Sequence, residues 1–175
     1  MTSTPTAPSK PFVMSAQPED WERYKAVRLA ALMQDPEAFA ATLDGEQDQA
    51  DAFWQDRITS AKATLIASID DIDLGCLVLI PSWDRDEDLA LVAFWVSPQG
   101  RGRGVGQALL KAAVAVAKTT EAQRLVLEVG DENEAAIRVY EKMGFLPTGV
   151  RNTLPPPQEH ISEHERALEL NTTRR

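Results

Sequence analysis

Residues 96–106 read VSPQGRGRGVG: four glycines and two arginines, set directly behind the apolar run LALVAFWV at 89–96. Glycine inside an element costs backbone entropy, and one glycine is enough for a capping turn. Glycine at alternate positions instead implies that something approaches the backbone closely. A buried-strand pattern precedes the cluster and a helical pattern over about 103–118 follows it. The loop N–H groups and the first unpaired N–H groups of that helix therefore converge, and the helix dipole adds partial positive charge. With Arg101 and Arg103 between the glycines, the stretch reads as an anion site.

Two common phosphate patterns fit poorly. A P-loop requires Gly-Lys followed by Ser or Thr, which does not occur here. The dinucleotide pattern G-x-G-x-x-G fails at its last position: Gly100 and Gly102 lead to Val105, and Gly102 and Gly104 lead to Gln107. Glu128 ends the next strand, where a ribose-binding acid would sit, so this second pattern is demoted rather than excluded.

Working outward, FVMSA (12–16) reads as a short strand and Pro18-Glu19-Asp20 opens a helix to about Gln34. Residues 36–61 are helical or irregular, and 44–56 are distinctly acidic. ATLIASI (63–69) and LGCLVLI (74–80) flank an Asp-rich turn and read as a hairpin, continued through DRDED (84–88) into 89–96. The helix after the glycine loop carries Val105, Ala108, Leu109, Ala112 and Val116 as its apolar stripe. RLVLEV (124–129) is a buried strand. Asp131 and Asn133 cap a further helix, and Gly144 stands where a left-handed C-terminal cap belongs. PTGV and HERALEL supply two last strands. The order predicts a mixed α/β sheet.

A length of 175 residues suits one domain with a real core. The net charge of −9 argues against nucleic acid and against an anionic membrane as partner. The single cysteine, Cys76, excludes an internal disulfide, fits a cytoplasmic location, and reads as a small core residue. Residues 1–11, rich in Ser, Thr and Pro, read as a flexible tail and not as a signal peptide. No stretch approaches the length needed to cross a bilayer.

The pattern V-x-P-x-x-R-G-x-G-x-G-x-x-L, here Val96 through Leu109, resembles the acyl-CoA-binding motif of the GNAT superfamily of N-acyltransferases. N-E-A-A-I-R-V-Y-E-K-M-G-F at 133–145 resembles that family's second signature, at the expected distance, and the strand order from 12 to 170 matches. The resemblance implies a mixed α+β fold: a GNAT-like central twisted, mostly antiparallel sheet with helices on both faces, in a single N-acetyltransferase domain over 12–171. It implies acetyl-CoA as co-substrate. The pyrophosphate would rest on the backbone N–H groups of Arg101, Gly102, Arg103, Gly104, Val105 and Gly106, with the contact extending to Gln107. A bulge would free backbone groups of Phe94, Trp95 and Val96 for the pantetheine arm, and the Trp95 side chain would be the one to reach the acceptor pocket.

Asn133 and Tyr140 are seven apart, so they share a helix face about 10 Å apart along its axis. In the family such a tyrosine is a proposed general acid for the departing thiolate, and the asparagine contacts the cofactor. A helix cap and a core aromatic are the structural alternatives. The implied reaction is direct attack of a neutral amine on the thioester, which needs a proton acceptor. Glu128 is the first candidate for that base, with a solvated strand-end carboxylate as its alternative. His160 and His164 lack a third ligand and read as structural or acceptor-pocket residues, with no metal. The expected partners are acetyl-CoA and a small-molecule or peptide amine, with homodimerisation open. The acidic 44–56 stretch suggests a cationic acceptor. A non-catalytic acyl-CoA sensor is the alternative function.

Overall fold

The computed structural model describes residues 9–170. Residues 1–8 of the expected tail and residue 171 of the expected domain lie outside them. Seven strands, β1 (Phe12–Ser15), β2 (Ala63–Ile69), β3 (Ile72–Pro81), β4 (Asp88–Val96), β5 (Arg124–Gly130), β6 (Leu146–Thr153) and β7 (Ser162–Glu169), form one sheet. Their spatial order is β1-β2-β3-β4-β5-β7-β6. Every neighbouring pair is antiparallel except β4 and β5. Five helices accompany it: α1 (Trp21–Gln34), α2 (Leu43–Glu46), α3 (Asp51–Ser60), α4 (Val105–Lys118) and α5 (Glu134–Lys142).

All seven residues of β2 are buried, because the sheet is covered on both faces. Alternate residues divide between two cores. Leu65, Leu77 and Leu125 meet Val105 and Leu109 of α4 and Tyr140 of α5. Ile66, Cys76 and Val78 meet Tyr24 and Leu32 of α1 and Trp54 of α3. The buried stripe of α4 is Val105, Leu109, Leu110, Ala113 and Ala117, one step round from the expected stripe; Ala108, Ala112 and Val116 are only partly buried. The helix is apolar nearly all round, so its pattern does not fix which edge faces the sheet.

β4 and β5 pair only over Asp88–Ala90 and Arg124–Val126, and then part. The closed end is pinned by a charge pair: Arg124 donates from both Nε and Nη2 to Oδ2 of the buried Asp88, at 3.0 and 2.6 Å. On its other side β4 bulges. Val78 faces Val92 and Cys76 faces Trp95, so Ala93 and Phe94 together oppose Leu77. Ala93 takes φ +52°, rare for a residue with a side chain. The Cys76 Sγ lies 3.4 Å from the Ala93 carbonyl oxygen, and burial pushes this thiol up to about 12. Cys76 is thus a core residue that supports the bulge.

The acidic 44–56 stretch forms α2 and most of α3. Glu46 is buried and accepts from Arg28 Nε at 3.0 Å, Arg28 Nη2 at 3.1 Å and Arg57 Nη1 at 2.7 Å. Burial works to raise the Glu46 pKa, but these hydrogen bonds and charges outweigh it and hold the carboxyl below its ordinary value. Its stabilising contribution is therefore complete above the unfolded pKa and lost as pH falls through the lower folded value. Glu46→Ala leaves the buried Arg28 charge short of its partner and should destabilise the fold by about 3 kcal/mol in urea unfolding at pH 7.

Candidate functional site

The glycines of the loop do different work. A Cβ on Gly100 would lie 3.1–3.2 Å from Leu74, Val105 and Val96, so packing here is tight and favours glycine. Gly102 and Gly104 have φ of +72° and +82°, where a side chain is strained. A Cβ on Gly106 would lie 3.3 Å from Val96 Cγ2 and 3.4 Å from Phe94 Cζ. Gly104 is the N-cap of α4 and gives it no side-chain cap. The first backbone bond into the helix runs from Ala108 N to Gly104 O at 3.0 Å. Among the described residues, the N–H groups of Gly102, Gly104, Val105, Gly106 and Gln107 find no acceptor. Five donors at one helix N-terminus make the anion cradle read from the sequence.

The two arginines are tied back. Arg103 Nη1 donates to the Gln99 carbonyl at 3.2 Å. Arg101 donates from Nε to the Val96 carbonyl at 3.1 Å and from Nη2 to Asp35 Oδ2 at 2.7 Å. The same Asp35 oxygen accepts from the Trp95 indole at 2.7 Å. Trp95 is 7% exposed and belongs to the α1/α3 core, which corrects the expectation that it reaches the acceptor pocket. Its indole is pinned to Asp35, and Ala93 and Phe94 line the cavity instead.

Where β4 and β5 part, a cavity of about 950 Å³ opens. It brings together Phe94, Glu128, Asn133 and Tyr140. Trp95, Val96 and residues 101–107 stand outside its wall, and Phe94 joins the two regions by touching both the cavity and the Gly106 position. Tyr140 is 5% exposed, stacked at an angle against Phe94 and Phe145. Burial alone raises its pKa well above that of an ordinary phenol. Among the described residues its hydroxyl has no hydrogen-bond partner, so a phenolic proton is available to whatever enters the cavity. Asn133 does cap α5: its Oδ1 accepts from Ala136 N at 3.3 Å, leaving its amide N–H groups uncommitted.

Glu128 lies on the wall and accepts from the Asn152 side-chain amide. His160 lines the same cavity. His164 instead bridges two charged groups, with Nδ1 2.8 Å from Asp131 and Nε2 3.3 Å from Arg166. Arginine only donates, so Nε2 accepts and Nδ1 carries the proton toward Asp131. Among the described residues no three His, Cys, Asp or Glu side chains are grouped to hold a metal ion.

The sequence reading missed Asp35 and Glu163. The register of β5 and β7 sets Glu128 opposite Glu165 and Gly130 opposite Glu163, so these three carboxylates occupy one face. Glu163 is pushed upward in pKa, first by burial and then by Glu128 and Asp131. Its place could have been found only by pairing β7 with β5. Six carboxylates line the cavity, Asp35, Glu37, Glu128, Asp131, Glu132 and Glu163, and no lysine or arginine among the described residues does. None of residues 44–56 contributes to it.

Comparison with known proteins agrees with this geometry. Residues 19–145 match the profile of the Acetyltransferase (GNAT) family, and the chain belongs to that family. Over 69 residues it is 35% identical to a putative ribosomal protein bS18 alanine N-acetyltransferase of Bacillus subtilis, covering 39% of this chain and 46% of that one. Over 108 residues it is 32% identical to the streptothricin acetyltransferase of Streptomyces lavendulae, covering 62% and 56%. The chain thus spans about half the length of these curated relatives. The structure of yncA, a putative acetyltransferase of Salmonella typhimurium with its cofactor acetyl-CoA, superposes with a TM-score of 0.77 at 17% identity, covering 95% of this chain and 98% of that one. That likeness establishes the fold.

A test of the loop follows from its strained glycines. A Cβ at Gly104 meets only Pro11 Cγ, at 3.8 Å, so the first carbon of a side chain has room there, and Gly104→Val carries a left-handed backbone cost of at least about 1–2 kcal/mol. Calorimetric titration with acetyl-CoA should show binding to the parent and none to the folded variant. Equal affinity in both would remove the loop from the cofactor site.

Proposed function

We propose that the protein is an acetyl-CoA-dependent N-acetyltransferase that acts on a primary amine. The observation that carries this reading is the cavity at the parting of β4 and β5, which Tyr140 and Glu128 share one loop away from five unpaired N–H donors. The glycine loop would hold the pyrophosphate on the N–H groups of Gly102, Gly104, Val105, Gly106 and Gln107; those of Arg101 and Arg103, expected to join them, already donate to the Ser97 and Gly100 carbonyls. The backbone of β4 beyond its parting from β5, at Phe94, Trp95 and Val96, would receive the pantetheine and direct the thioester toward Tyr140, although the Val96 carbonyl already accepts from Arg101. When bound, acetyl-CoA supplies an activated acyl group. The chain's own residues select the amine, take its proton and return one to sulfur.

Within that scheme Glu128 is the carboxylate available to accept the amine's proton, and Tyr140 the phenol that donates to the leaving thiolate. A phenol with a raised pKa stays fully protonated at neutral pH and so remains a donor throughout the working range. Asn133, with its amide N–H groups free, would bond the cofactor arm from the start of α5. The carboxylates on the wall favour an acceptor that arrives as a cation, and the net charge of −9 steers it there at low salt. No helix among the described residues is long and apolar enough to cross a membrane.

Thiol release from acetyl-CoA across a panel of amines tests the activity, and Tyr140→Phe tests the acid. That substitution removes only a hydroxyl and keeps the ring against Phe94 and Phe145. Turnover should fall by about 10²-fold, the smaller end for a positioned acid because a thiolate leaves readily, while the acetyl-CoA affinity stays within about twofold. Parent-like turnover, with chemistry shown to limit the rate, would make Tyr140 a packing residue.

A further inference from the structure

A second cavity, of about 440 Å³, adjoins the first on the α1/α3 face of the sheet. The two share Phe39, Leu91, Val92, Ala93, Glu128 and Glu163, so they meet at the bulge of β4. Its bed is apolar, with Val78, Ile80, Val126 and Leu154 along it. Trp83, 76% exposed, is an aromatic ring on its wall that the fold leaves uncovered. The two cations on the wall, Arg28 and Arg57, are both committed to Glu46.

Glu163 stands where the two cavities join. Its neighbours are satisfied: Glu128 takes the Asn152 amide, and Asp131 takes both His164 and Arg151. Glu163 is half-buried, and among the described residues its carboxylate has neither hydrogen bond nor ion pair. An unpaired carboxylate partly withdrawn from water, beside two further negative charges, is costly, and a bound cation relieves that cost.

Resting on the acetyltransferase reading above, we infer that Glu163 is the residue that recognises the acceptor's ammonium group. The second cavity takes the apolar body attached to that group. The acceptor class is then a monoamine with an aromatic or branched aliphatic substituent, presented either as a free amine or as the first residue of a peptide. A cavity of this size has room for such a substituent. A polyamine or an aminoglycoside would leave the apolar bed empty. Glu163 thereby acts on specificity, while Glu128 and Tyr140 serve the proton transfers.

The test uses phenethylamine, spermidine and a short peptide with N-terminal phenylalanine, each titrated into the full-length protein saturated with CoA. Phenethylamine should bind at least ~10-fold more tightly than spermidine, the discrimination an apolar pocket provides. The peptide arm decides whether the natural source is a free amine or a chain terminus. Glu163→Gln should weaken phenethylamine roughly tenfold, the lower end for a charged hydrogen bond, and raise KM more than it lowers kcat in thiol release. Trp83→Ala, at an exposed position that leaves the core intact, should weaken the amines bearing rings and not methylamine. Spermidine binding as tightly as phenethylamine, or Glu163→Gln binding like the parent, overturns the inference. Acetyl-CoA titrated into each variant separates this failure from that of the cofactor reading: if acetyl-CoA binds normally and phenethylamine does not bind, only the acceptor inference falls.

Discussion

Strands β4 and β5 share three residues of ladder and then separate, and the rest of the molecule follows from that parting. At the closed end, Arg124 and the buried Asp88 face each other in register and join side chains as well as backbones. Asp88 also meets Arg85, at 3.4 Å, but a charged group so deep is a weak source of net stability, because desolvation offsets much of its attraction. Its value is positional, since it fixes which residues of two parallel strands lie side by side before they diverge. Beyond Ala90 the facing backbone groups of β4 no longer serve β5. The bulge at Ala93 increases the divergence, and the Cys76 thiol under its carbonyl is part of the support for this strained residue. An opened sheet would ordinarily expose apolar edges. Here it is roofed by α5 on one face and by the segment after α1 on the other, which leaves a lined cavity in place of a defect.

Much of this was legible in the chain. The glycine cluster announced a helix N-terminus with donors to spare, and the capping residues around α5 fixed its limits to within a residue or two. Those signals are local, because a left-handed turn or an N-cap depends on the residues that make it. What stayed hidden depends on which strands lie side by side. Glu163 looks like any acidic residue of an edge-like strand until β7 is paired with β5, which sets it in line with Glu128. Trp95 has the right position in sequence to reach the cleft, yet the bulge alters the alternation of β4 and turns its ring into the core. Composition misled in a third way: the acidic stretch 44–56 suggested a cation-attracting rim, but its Glu46 is buried between arginines, and the cavity's charge comes from carboxylates scattered over four other segments.

The carboxylates therefore divide by partner. Glu46, Asp88 and Asp131 each hold cationic or hydrogen-bonding groups that hold segments together. Such groups gain little from a ligand, because their lone pairs are already taken. Glu163 and the cavity face of Glu128 lie where the sheet has opened and water is partly excluded, and among the described residues Glu163 has no counter-charge. Leaving a carboxylate in that condition costs stability, which natural proteins tolerate mainly where function requires it.

Asp35 belongs to both groups, and this ties the cavity wall to the glycine loop. It closes the C-terminal end of α1, and one of its oxygens receives the indole of Trp95 and the guanidinium of Arg101. Those donors come from β4 and from the glycine loop, while Asp35 itself lines the cavity where β4 and β5 part. The position of the glycine loop thus depends on where α1 ends, even though no backbone ladder connects them. A change in the segment from Asp35 to Phe39, whose ring lies at the junction of both cavities, would reach Arg101 through a single carboxylate. The cavity wall and the glycine loop are in this way mechanically linked through one residue that neither motif contains.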